Sequence, residues 1–168
     1  MSKLICIDSG ANGGICVWDL ETNKFVLEKL TGDTMETLKP VLDRHFAETK
    51  EISSVVIERP PRFMGTMIPS SRIAVLFEAF GITLGYLAAK DIKPIEVTPQ
   101  DWQRHIRDEK GIKRGEMKHS EWKRLLTEYA KQTYGVRRDL TGQTADALLL
   151  ADWYFNVHNP LLRKLPTA

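Results

Sequence analysis

The sequence predicts an α/β protein built on one mixed β-sheet, in which an antiparallel three-stranded meander is continued by parallel strands and flanked by helices. Three observations carry this reading. Three short apolar runs follow one another near the N-terminus with only turn residues between them. A stretch of helical periodicity then leads to Val55, Val56 and Ile57, an unbroken β-branched run that ends on a glutamate. Beyond it, helical repeats alternate with one more short strand.

Taken in order, Leu4 to Ile7 and Ile15 to Trp18 flank the Gly-rich turn "SGANGG", and Phe25 to Leu30 follows "DLETN". Connections this short return the chain antiparallel. In "TMETLKPVLDRHFAE", Leu38, Val41, Leu42 and Phe46 recur at helical spacing. A helix placed between strands implies that Val55 to Ile57 pairs in parallel, and its lack of alternation fits a strand covered on both faces. Ser70 or Ser71 is placed to cap the next helix, in which Ile73, Leu76, Phe77, Phe80, Leu84 and Leu87 keep the helical period. Gly81, Gly85 and Ala88 make a second, small-residue face. Glycine costs a helix about 1 kcal/mol relative to alanine, so this spacing implies close packing of the internal sheet or of a dimer partner. "IKPIEVT" is a short strand, and "TPQDWQRHI" opens a helix with Thr98 as cap and Pro99 in the first turn. The Gly-containing segment 107–119 is expected to be mobile. Helices from about Ser120 to Tyr134, stopped by Gly135, and from about Thr144 to Val157, stopped before Asn159 and Pro160, complete the chain. This order of elements is that of an RNase H-like mixed β-sheet.

Composition narrows the function classes. At 168 residues, 42% hydrophobic and 27% charged, the chain is sized for a single domain over residues 1–168. No cationic start leads into a long apolar stretch, and no run of about 18 apolar residues occurs. The expected protein is soluble and cytoplasmic, with no membrane partner. Cys6 and Cys16 lie inside apolar strand runs rather than in a C-x-x-C spacing and read as reduced core residues. His45, His105, His119 and His158 lack ligand spacing, which argues against structural zinc. The net charge of +2 is small, but residues 104–124 carry eight Lys/Arg against four Asp/Glu. Such a run is either a local basic patch for nucleic acid or a solvated helix face.

Three acids occupy special positions. Asp8 ends the first strand in "ICIDSG", Glu58 ends the fourth in "VVIERP", and Asp146 lies in the first turn of the last helix in "GQTADALLLADW". Each alone has a structural use: Asp8 as a turn residue before Gly10, Glu58 paired with Arg59 or Arg62, Asp146 complementing a helix N-terminus. Jointly, two strand-end acids at one sheet edge and a helix-start acid make a cluster whose repulsion a divalent cation removes. Oxygen ligands suit Mg²⁺, with Mn²⁺ able to substitute, and a pair of such ions roughly 4 Å apart can drive phosphodiester hydrolysis.

"IDSGANGGICVWD", "VVIERPPRFMG", "ITLGYLAAKDIKPIEVTPQDWQ" and "TADALLLADW" together resemble the RuvC superfamily of Holliday-junction resolvases, in the flavour of its phage, bacterial and plant-chloroplast members. The resemblance covers most of the chain in order. It implies a homodimer that binds four-way DNA junctions and nicks two strands symmetrically with Mg²⁺. It makes Asp8 the first-strand metal ligand, Glu58 the ligand bridging or flanking two ions, and Asp146 the ligand from the last helix. The family's fourth ligand, an acid or histidine three or four residues before that aspartate, is replaced here by Gln143 and Gly142. Gln143 through its amide oxygen, a water, or Asp139 would have to serve. The first motif also reads "DSG" where the family more often has Asp-Pro-Gly.

For DNA contacts, Lys110, Lys113, Arg114, Lys118 and Lys123 are the candidate phosphate neutralisers. By the resemblance, Lys118 is also the candidate basic residue at the scissile phosphate. The loop after Glu58 offers Arg62 and Phe63, the latter either a wedge against unpaired bases or a residue folded back onto the core. Trp102, Trp122 and Trp153 read as core. "DSGANGG" also resembles the first phosphate loop of actin-like ATPases and sugar kinases, but no second such loop and no Walker sequence is visible, so no nucleotide cofactor is expected. Two alternatives stay open: a junction-binding protein without chemistry, and a nuclease acting on RNA or RNA–DNA hybrids.

Overall fold

The computed structural model describes residues 2–10, 12–31, 34–48, 51–61, 69–113 and 115–162. Strands β1 (Ser2–Asp8), β2 (Gly14–Asp19), β3 (Lys24–Lys29), β4 (Glu51–Glu58) and β5 (Ile95–Val97) form one sheet. Its order is β3-β2-β1-β4-β5. The pairs β1–β2 and β2–β3 are antiparallel, whereas β1–β4 and β4–β5 are parallel. Meander and parallel extension are thus both present, with β1 at the junction between them.

Strand alternation splits the core into two layers. Ile5, Ile7, Ile15, Val17, Val55 and Ile57 face one side, packed with Leu38 and Leu42 of α1 (Thr34–Ala47) and Phe80 and Leu87 of α2 (Ser70–Ala88). Leu4, Cys6, Cys16, Trp18 and Val56 face the other. That side is covered by α3 (Pro99–Trp102), α4 (Arg104–Lys110), α5 (His119–Tyr134) and α6 (Ala145–Trp153). Cys6 and Cys16 are buried free thiols opposite each other in the β1–β2 register.

Four local expectations change. The N-cap of α2 is Pro69 without a side-chain hydrogen bond, so Ser70 and Ser71 lie inside the helix rather than capping it. "TPQDWQRHI" breaks at Gln103 into α3 and α4, although Thr98 does cap α3 by accepting the Asp101 N–H at 3.3 Å. Part of segment 107–119 is ordered as helix, because α4 runs to Lys110 and closes on left-handed Gly111 (φ 64°). The last helix leaves α geometry after Trp153 and continues as a π turn, Tyr154–His158.

Of the two uses expected for the small-residue face of α2, packing on the internal sheet is not found. A Cβ built at Gly81 or Gly85 meets nothing within 4 Å among the described residues, so the internal sheet does not pack there. By length and composition α2 could cross a membrane, yet it is a sheet-covering helix of which 22% of the apolar stretch is buried. Val75 and Phe77 on it stay 50% and 42% exposed.

Candidate active site

Strand parity places the first two acids. Counting by twos from Leu4 and Cys6 puts Asp8 on the α6 side of the sheet, and counting from Val56 puts Glu58 there too. Ile7 pairs with Ile57 in the parallel register, so the two acids leave the sheet from neighbouring strands at the same edge. α6 crosses this edge with all nine of its residues buried, Asp146 among them at 2% exposure.

The glycines of the first turn allow that approach. A Cβ on Gly14, which pairs with Asp8, would lie 2.9 Å from the Gln143 carbonyl oxygen and 3.0 Å from the Thr144 Cα. A Cβ on Gly13 would stand 1.9 Å from the Asp8 carbonyl oxygen. Neither backbone approach tolerates a side chain. Thr144 then anchors the start of α6, donating to the Asp139 carbonyl at 2.6 Å and accepting the Thr141 N–H at 2.9 Å.

Electrostatics bind the three acids into one unit. Burial pushes the Asp8 carboxyl up to about 6, Asp146 adds to the rise, and Lys123 and the Gly10 N–H oppose it. Glu58 is raised well above the ordinary carboxylate range by burial, then by Asp8 and Asp146, against the Trp102 hydrogen bond and Lys123. Burial would lower the Lys123 ammonium, but Asp146, Asp8 and Glu58 outweigh it and raise its pKa. The Lys123 Nζ is ion-paired with Asp146 Oδ2. Asp146 Oδ1 is buried without a partner.

Two of these residues play parts that sequence reasoning did not give them. Trp102 is core as expected, with no exposed surface, but its indole N–H also donates to Glu58 Oε2 at 2.6 Å. Lys123 enters the acid cluster, where it was expected only as a phosphate neutraliser. Its signal was its spacing: it stands three and seven residues before Leu126 and Ala130, on the buried stripe of α5, where a lysine needs a reason.

The other candidates lie elsewhere. Lys118 is exposed at the N-cap of α5, where its backbone N–H donates to Glu121 at 3.1 Å. Lys110 lies 5.3 Å from the Tyr129 ring centre, and Lys113 is exposed. Arg62, Phe63 and Arg114 fall outside the described residues. Arg59 pairs with Glu96 at 3.5 Å, leaving Glu58 to the cluster. Gln143 donates through Nε2 to Asn12 at 3.4 Å. Asp139 is held by two Arg137 contacts of 2.9 and 2.8 Å, which keep its carboxyl below the ordinary range and away from the cluster.

Among the described residues, no group of three or more His, Cys, Asp or Glu stands in metal-holding geometry. The donor set nevertheless fits a hard cation: it is all carboxylate oxygen, it is electrostatically crowded, and Asp146 Oδ1 is an acceptor with nothing to accept.

No family profile and no curated protein matches the chain in sequence. Solved structures do match in shape. One is Thermus thermophilus RuvC in complex with a Holliday-junction substrate, at TM-score 0.52 and 12% identity, covering 95% of this chain and 98% of that one. The chain has a RuvC-like fold. A second structure of Thermus thermophilus RuvC aligns at TM-score 0.47 and 14% identity over 93% and 96% of the two chains. At 12% identity the property shared with the first is the fold, and in this chain the order β3-β2-β1-β4-β5 brings Asp8 and Glu58 to one edge.

Proposed function

We propose that this chain is a metal-dependent endonuclease that resolves four-way DNA junctions by paired nicks, acting as a homodimer. The observation that carries the reading is the convergence of Asp8, Glu58 and Asp146 on one face of one sheet edge, with Asp146 buried and the Asp8 and Glu58 carboxyls raised by burial and by their acidic neighbours. A buried acid cluster with an unpartnered oxygen is a poor stabilising device and a good cation receptor. A bound Mg²⁺ or Mn²⁺ supplies Lewis-acid stabilisation of phosphate charge and a more acidic water.

Asp8, Glu58 and Asp146 would hold the metal, Trp102 orients the Glu58 carboxylate, and Lys123 brings a positive charge to the same point. Phosphate contacts beyond the site have a natural path nearby. A cleft of about 590 Å³ is lined by Gln100, Arg104, Arg107 and Lys113 among others, at the end of the α3–α4 unit that carries Trp102. The open Gly81–Gly85 face of α2, with Val75 and Phe77 exposed, supports a second copy packing there.

The test compares a four-way junction, a linear duplex and an RNA–DNA hybrid in Mg²⁺ and in EDTA, for wild type and Glu58→Gln. Metal-dependent paired nicks confined to the junction are expected. Glu58→Gln should lower cleavage by about 100-fold or more while junction binding in EDTA persists, the loss typical when charge stabilisation is removed from a reacting centre. Equal cutting of linear duplex, or unchanged cleavage by Glu58→Gln, overturns the reading; cutting of the hybrid alone replaces it with an RNA-directed nuclease.

A further inference from the structure

Resting on the nuclease reading above, we propose that Lys123 takes the place of one divalent ion, so that each protomer holds a single Mg²⁺ or Mn²⁺ beside a resident ammonium. The oxygens available point to this. Asp146 Oδ2 is committed to Lys123, Glu58 Oε2 to the Trp102 N–H, and Asp8 Oδ1 faces the Gly10 N–H at 3.4 Å. One oxygen of each acid is left among the described residues: Asp146 Oδ1, Glu58 Oε1 and Asp8 Oδ2. Three protein oxygens and water suffice for one octahedral ion, since Mg²⁺ keeps several waters. A second ion would have to share oxygens that already accept hydrogen bonds, Asp146 Oδ2 from the Lys123 ammonium among them.

The places that would supply further ligands offer little. Residue 142 is glycine, Asp139 is clamped by Arg137, and Gln143, whose amide nitrogen donates to Asn12, has only a neutral amide oxygen to give. Charge agrees with the oxygen count, because one divalent ion and one ammonium balance three carboxylates. The ammonium is also built in. Lys123 projects from the packed stripe of α5 that carries Leu126 and Ala130, and a second dication would meet its positive charge on Asp146.

The experiment counts metal rather than product. Full-length wild type and Lys123→Met are titrated with Mn²⁺ by calorimetry and by electron paramagnetic resonance. Each is measured free and again saturated with a junction carrying phosphorothioate linkages at the crossover. Wild type should bind one Mn²⁺ per protomer with an uncoupled spectrum, and Lys123→Met should bind two, with dipolar broadening. Two Mn²⁺ in wild type overturns the proposal, as does one in a Lys123→Met that keeps the wild-type circular dichroism and melting temperature. If Lys123→Met does not fold, the wild-type count decides alone. Junction cleavage followed in parallel separates the two readings. Two Mn²⁺ with active cleavage sinks only the single-ion site, while no Mn²⁺ and no cleavage sinks the nuclease with it.

Discussion

α6 and α2 are both apolar helices rich in small residues, and they use them in opposite ways. In α6 the small side chains of Ala145, Ala147 and Ala151 are fully buried, and the helix presses its first turn against Gly14 of β2. That close approach delivers Asp146 to Asp8 and Glu58. In α2, a Cβ added at Gly81 or Gly85 meets nothing within 4 Å among the described residues. The same composition therefore sets the approach of an acid in one helix and leaves, among the described residues, an open surface on the other. Smallness permits close approach in both; only the tertiary structure tells in which helix the approach is made within the chain.

The sharpest way to break this contrast is Gly14→Val. Valine has the better strand propensity, so local preference alone would favour it. Backbone contacts at 2.9 and 3.0 Å decide otherwise, because neither the Gln143 carbonyl nor the Thr144 Cα can rotate aside. Destabilisation of about 3 kcal/mol is expected, at the upper end for overpacking. Denaturant unfolding measures it. Cleavage should fall with it, since displacing α6 moves Asp146. A Gly14→Val as stable and active as wild type would mean that α6 is not held by this contact.

How far the site was legible from sequence follows the same line between local and tertiary information. Asp8 and Glu58 could be read because an apolar strand that ends on an acid is a local pattern, and the RuvC-like fold puts those two strand ends together. Asp146 could be read from its place in a helix's first turn. Trp102 could be recognised as core but not as the donor to Glu58, which lies 44 residues away and shares no pattern with it. Lys123 was visible as one of many basic residues in 104–124, and composition cannot rank them. Its difference from Lys118 is one and a half helical turns, enough to carry one ammonium into the acid cluster and leave the other exposed.

A smaller effect is expected from Asp8→Asn in EDTA. The Asp8 carboxyl rises from 3.8 to about 6 on folding. The folded state therefore holds that proton more tightly than the unfolded chain, and the group's stabilising contribution is complete below pH 3.8 and lost as pH rises through about 6. At neutral pH the ionised carboxylate opposes the metal-free fold. Asparagine cannot ionise. At pH 7.5 Asp8→Asn should melt higher than wild type, and the gap should close by about pH 4. A variant that melts lower at both pH values would show that Asp8 is a structural residue.

The smallest effect on the fold, and the complement of Gly14→Val, belongs to Gly85→Leu on α2. Among the described residues nothing lies within 4 Å of the added Cβ, so no clash with them has to be relieved. Replacing a mid-helix glycine removes a conformational penalty of about 0.5–1 kcal/mol, and the melting temperature of a dilute sample should stay level or rise slightly. Association should respond in the opposite direction. A leucine on the face where the proposed second copy would pack would hold the two helices apart, so sedimentation velocity should find Gly85→Leu less associated than wild type. Junction cleavage should then pass from paired to single nicks, since each protomer keeps its own acids but loses its counterpart on the opposite strand. A Gly85→Leu that still sediments with wild type as a dimer would move the interface off α2. A variant that loses stability as a monomer would mean that this face is covered from within the chain.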